Sequence, residues 1–180
     1  MSEIYYIFRE ALENGNTKLA KETIRDHINN KSLISTWFVS PIHLAVHYKN
    51  ISIVKFLIKN GVKLNCQTPF GDLPLHWAIQ SLRMDIVRML VYNGSPLNTQ
   101  NSDCNTPLHI AVKTGFTGLV SILCEAGADP NIKNIDGHKP IDLTDNNEIR
   151  QMLDLKTKYN ELEKKYNDLR AKIKALIPEN

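Results

Sequence analysis

The chain has 180 residues, 42% of them hydrophobic and 23% charged, with a formal net charge of +3 at pH 7. That balance supports a packed core and excludes wholesale disorder, and it is too weakly basic to argue for nucleic acid. Three cysteines (Cys66, Cys104, Cys124) show no metal-ligand spacing and cannot all pair, so a reducing compartment, cytoplasmic or nuclear, is expected. The opening MSEIYYIFRE lacks a basic region followed by an apolar core, and no apolar run approaches the roughly 18 residues of a membrane span.

Residues 3–30 read as two helices. Ile4, Ile7, Phe8, Ala11 and Leu12 recur at helical spacing, and Asn14-Gly15 breaks the run. Thr17 is placed to cap a second helix carrying Leu19, Ala20, Thr23, Ile24 and Ile28. A connection ending in Trp37, Phe38 and Val39 leads to a segment that occurs four times: SPIHLAV from Ser40, LPLHWAI from Leu73, TPLHIAV from Thr106 and KPIDLTD from Lys139. Its prolines, Pro41, Pro74, Pro107 and Pro140, are separated by a constant 33 residues. A period of that size predicts supersecondary units that bury their apolar faces on one another.

Each unit has its own local logic. Proline suits the first turn of a helix, where its missing N–H has no partner to lose. Ser40 and Thr106 are placed to cap that turn. Ala45, Ala78 and Ala111 mark a close helix crossing. A second helix follows in each complete unit: Ile51 to Asn60-Gly61, Ile86 to Asn93-Gly94, and Leu119 to Ala126-Gly127, the glycines supplying the left-handed stop.

The repeated segment, with its TPLH core and its period, resembles the ankyrin-repeat signature over roughly residues 3–155. The resemblance implies an all-α solenoid of helix-turn-helix repeats with β-turn fingers. Its expected units are an N-terminal cap (3–36), three repeats (37–69, 70–102, 103–135) and a truncated last repeat (136–155). The family's glycine between the two helices is present at Gly115 but replaced by Lys49 and Leu82, an expected local cost in stability. Asp142 stands where the last repeat would carry the motif histidine. His43, His76 and His109 are implied to hydrogen-bond turn backbone; spaced 33 residues apart, they are not arranged around one ion.

In this family the finger tips and the open side of the inner helices form one concave binding face. Position by position, the resemblance implies finger-tip contacts at Trp37, Val39, Phe70, Asp72, Asp103, Asn105, Ile135 and His138. It implies inner-helix contacts at His47, Tyr48, Gln80, Ser81, Lys113 and Thr114. Trp37, Tyr48 and Phe70 are the expected anchors, because aromatic residues dominate interface hot spots. The apolar run Trp37-Phe38-Val39 reads either as packing on the cap or as an exposed patch, and Trp77 is assigned to the core.

From Asn147 to Ile177 there is neither proline nor glycine, so one long helix is expected. Met152, Leu155, Tyr159, Leu162, Tyr166, Leu169, Ile173 and Leu176 alternate at three and four residues, the heptad seam of a coiled coil over 147–177. Asp154–Lys158, Glu161–Lys165 and Asp168–Lys172 are acid-before-base pairs that favour the helix. Three readings of the seam are open: pairing with a second copy of the chain in a homodimer, pairing with another protein's coil, or a lone helix or one folded back on the chain's own repeats.

No Gly-rich phosphate loop, nucleophile elbow or catalytic Cys/His pairing is present, so neither an enzyme nor a cofactor or metal is expected. The reading is a scaffold or adaptor for a protein partner, with oligomerisation through the tail. The alternatives are a stoichiometric inhibitor, similar to ankyrin inhibitors of NF-kappaB or of cyclin-dependent kinases, and a subunit of a transcriptional complex. No basic helix precedes the heptads, so direct DNA contact is not expected.

Overall fold

The computed structural model describes residues 3–25, 27–28 and 39–176. Among the described residues, nine α-helices and one 3-10 turn account for the regular structure, and no strand occurs. In chain order these are α1 (Glu3–Glu13), α2 (Thr17–Arg25), α3 (Pro41–His47), α4 (Ile51–Lys59), α5 (Pro74–Gln80), α6 (Met84–Tyr92), α7 (Pro107–Thr114) and α8 (Thr117–Ala126). The 3-10 turn (Pro140–Leu143) and α9 (Asn147–Leu176) follow.

The inner helices α3, α5 and α7 pack side by side, as do the outer helices α4, α6 and α8, so each hairpin rests on the next. One apolar core runs the length of the stack, from Phe8 through Ile42, Leu57, Leu75, Ile86, Leu90 and Leu108 to Leu123 and Leu153. Ala45, Ala78 and Ala111 are fully buried, as a close crossing requires. The N-terminal hairpin differs in detail from its sequence pattern. Ile7 and Leu19, expected in the core, are 38% and 40% exposed, and Tyr5 is buried in the core. Asn16, not Thr17, caps α2, its Oδ1 accepting from the Leu19 N–H at 3.0 Å.

Local turns explain the two helix boundaries that lack the usual glycine. Gly115, between α7 and α8, has φ 70°, and Lys49 and Leu82 at the same repeat position have φ 55° and 53°. The fold thus forces two side-chain-bearing residues into the left-handed region, at a cost of roughly 1–2 kcal/mol each. Thr106 caps α7 as expected, accepting weakly from the His109 N–H at 3.4 Å. Ser40 does not cap α3; its hydroxyl is turned to the His43 imidazole, 2.8 Å from Nδ1.

The last repeat keeps only a 3-10 turn in place of an inner helix, and Asp142 reaches back to accept from the Lys139 N–H at 2.8 Å. Helix α9 then has 30 residues, about 45 Å at 1.5 Å per residue. Ile149 and Leu153 are fully buried against the end of the stack. From Glu161 to Ala175 every residue is exposed. The helix therefore begins as part of the body and continues beyond it alone.

Candidate functional site

The fingers between hairpins are laced by a set of hydrogen bonds that repeats with the sequence. His43 Nε2 lies 3.0 Å from the Asp72 carbonyl, His76 Nε2 3.2 Å from that of Asn105, and His109 Nε2 3.1 Å from that of His138. A carbonyl only accepts, so each Nε2 carries the proton. Nδ1 is then an acceptor, and at His76 it takes the Leu73 N–H at 2.9 Å. All three rings are buried. Burial penalises the imidazolium and lowers their pKa values, that of His43 to about 4. The motif histidines are thus neutral rivets between successive repeats.

A second series was not singled out from the sequence, although its 33-residue echo is visible there: Thr68, Asn101 and Asn134. Asn101 Oδ1 accepts from the N–H groups of Asp103 (3.1 Å) and Asn105 (3.0 Å), and its Nδ2 donates to Asp72 Oδ1 at 2.9 Å. Asn134 does the same for Asp136 and His138 and donates to Asn105 Oδ1 at 3.3 Å. Backbone bonds complete the lacing: Ser102 N–H to the Phe70 carbonyl at 2.8 Å, and Ile135 N–H to the Asp103 carbonyl at 3.0 Å. The fingers approach so closely that a Cβ on Gly71 would sit 3.0 Å from the Asn101 Cα and the Ser102 nitrogen.

This lacing sorts the expected contact residues. Phe70 and Ile135 project from the finger tips, 65% and 67% exposed, and Asp103 and His138 are exposed beside them. Asp72 is half-buried and spends its carbonyl on His43 of α3 and its carboxylate on Asn101 of the next finger. Asn105 is buried, with its carbonyl on His76 and its side chain on Asn134. Val39 is buried in the core. The side chains of Asn105 and Val39 are therefore not on the exposed face that the resemblance implied. Trp37 lies outside the described residues.

On the inner helices His47, Gln80 and Lys113 are exposed, and Tyr48, Ser81 and Thr114 are half-buried. His47 stands edge-on to Tyr48 (ring centroids 5.0 Å apart) and to Trp77 (5.9 Å), and Trp77 stands edge-on to His43 (5.1 Å). Tyr48 accepts from Arg9 Nε at 3.2 Å. Trp77 is half-buried: its inner edge packs on the core and its ring meets the exposed His47, so it is not wholly a core residue. The signal was its size. Leu44, one repeat earlier, is buried at the same position.

In α9, Met152 is half-buried, whereas Leu155, Tyr159, Leu162, Tyr166, Leu169 and Ile173 are 50–67% exposed. From Leu155 to Ile173 the seam is an apolar stripe left uncovered by the described residues; the Leu176 side chain lies outside them. Among the described residues no group of three or more His, Cys, Asp or Glu side chains could hold a metal ion, and no helix is long and apolar enough to cross a membrane.

A family model described as ankyrin repeats (3 copies) matches residues 8–101 and 42–134. A search of curated proteins returned no match.

Proposed function

The chain belongs to the ankyrin-repeat family, a protein-interaction fold, and on that premise we propose that it is a non-catalytic adaptor gripping a protein partner on the finger-tip and inner-helix face. The observation that carries the reading is the contrast between the laced fingers and what they leave outside. The side chains of Asp72, Asn101, Asn105 and Asn134 at the finger base are bonded to one another, while Phe70 and Ile135 are held largely in solvent at the tips. Exposed apolar side chains on a pre-organised backbone lose little freedom on binding, which is what makes a contact productive.

His47, Tyr48 and Trp77 form the complementary strip on the inner helices, and Gln80, Ser81, Lys113 and Thr114 surround it as a polar rim. The working compartment in this reading is the cytoplasm or nucleus. The α9 seam is a second, separate docking surface on the same adaptor.

Affinity purification with mass spectrometry, run in parallel on the natural chain and on Phe70→Ala/Ile135→Ala, tests the proposal. A partner retained by the first and lost by the second, with the variant's melting temperature unchanged, is the expected result. Equal recovery by both chains removes the finger tips from the interface.

A further inference from the structure

The seam on α9 is bordered by charge of mostly one sign. With Met152, Tyr159, Tyr166 and Ile173 at one seam position and Leu155, Leu162 and Leu169 at the other, the residues flanking one side are Lys158, Lys165 and Lys172. Those flanking the other side are Lys156, Glu163 and Arg170. Five of these six are cationic, and all but Lys156, which is half-buried, are exposed. Three further acids of this helix, Asp154, Glu161 and Asp168, occupy the next stripe out from the seam, four residues before Lys158, Lys165 and Lys172. The only ion pair among the described residues is Arg83–Asp85 on the repeats, so no seam-flanking cation has a carboxylate of a described residue within 4.0 Å.

Flanking charges choose the partner and the orientation of a coiled coil. In a parallel, in-register pair of identical helices Lys158 would meet Glu163, which attracts, but Lys165 would meet Arg170, which repels. In an antiparallel pair the three flanking lysines of one copy would face those of the other. The seam residues point the same way. Tyr159 and Tyr166 would each face their twins in a parallel homodimer, at positions where β-branched residues are the ones that favour two strands.

We propose that the occupant of this seam is an amphipathic helix of a different protein whose seam-flanking positions are predominantly Asp and Glu. Such a helix turns the five cations from a self-repelling border into a complementary one, and it is free to place small side chains opposite the two tyrosines. This deepens the adaptor reading at its second surface. It concerns the tail alone, so its failure leaves the finger-tip capture experiment untouched.

The test uses the full chain and two synthetic four-heptad peptides, both with Ile and Leu in the seam, one flanked throughout by Glu and the other by Lys. The Glu-flanked peptide should bind, by fluorescence anisotropy, at least about tenfold more tightly than the Lys-flanked one, with affinity falling as salt is raised. The chain by itself should give a monomer mass by light scattering. The fourfold variant Lys158→Glu/Lys165→Glu/Arg170→Glu/Lys172→Glu alters only exposed positions and should reverse the peptide preference. A dimer mass for the chain alone at low micromolar concentration would assign the seam to a second copy. Equal binding of the two peptides, or binding of neither, would also overturn the proposal.

Discussion

The repeat body and the outer part of α9 carry apolar residues at similar helical spacing, yet they meet opposite fates. Leu57, Leu90 and Leu123 lie on outer helices and are completely buried, because each hairpin has a neighbour one repeat away to lean on. Leu155, Leu162 and Leu169 have no such neighbour and remain 57–67% exposed. Periodicity therefore says that a face will be covered, not by what. In the body the covering is the next repeat of the same chain; in the tail no described residue of the chain supplies it.

The largest expected effect sharpens that contrast directly. Leu90→Ala should cost about 2–5 kcal/mol in urea unfolding, as buried leucines do. Leu162→Ala should stay within about 0.5 kcal/mol for the monomer. Equal losses would mean that the tail is packed on the body.

Acid should act on the body alone. His43 is buried and neutral, with its pKa lowered from 6.5 to about 4 by burial. The unfolded chain therefore takes up that proton first. The associated stability is complete above pH 6.5 and is lost as the pH falls from 6.5 towards 4, about 3 kcal/mol from this residue. Burial lowers His76 and His109 in the same direction. Urea midpoints across this range should fall equally for the whole chain and for a chain ending at Thr157; a flat profile would show that the rivets tolerate charge.

Gly71→Ala probes the lacing. Its φ of 75° alone costs a side chain roughly 1–2 kcal/mol, and the new Cβ would press on the Asn101–Ser102 backbone, so a loss of at least that size is expected from thermal unfolding. The reverse change, Leu82→Gly, should gain about 1 kcal/mol, because Leu82 has φ 53° and its side chain is half in solvent, with little packing to lose. Lys49→Gly should behave likewise.

These positions also show what could be read from the letters alone. The proline-led turns, the alanine crossings and the unusual Lys49 and Leu82 were legible, because each is fixed by backbone geometry within one repeat; the histidine bonds to turn backbone span two repeats and were legible only through the family resemblance. The finger tips were legible only in part. Counting along the finger placed Asn105 on its exposed face, whereas Asn134 reaches across from the next repeat and holds it inside. That bond joins residues 29 apart in sequence, and only the 33-residue echo of Thr68, Asn101 and Asn134 points to it. Trp77 escaped for the opposite reason: its position is a core position, and only the breadth of the indole carries it out to His47.

The most direct measurement is the affinity of the captured partner, by calorimetry, for the natural chain and for Phe70→Ala/Ile135→Ala. Loss of at least about tenfold in affinity, with the urea midpoint unchanged, is the expected result. An unchanged dissociation constant would contradict the account, because the two most exposed apolar finger-tip side chains among the described residues would then have no part in the proposed interface.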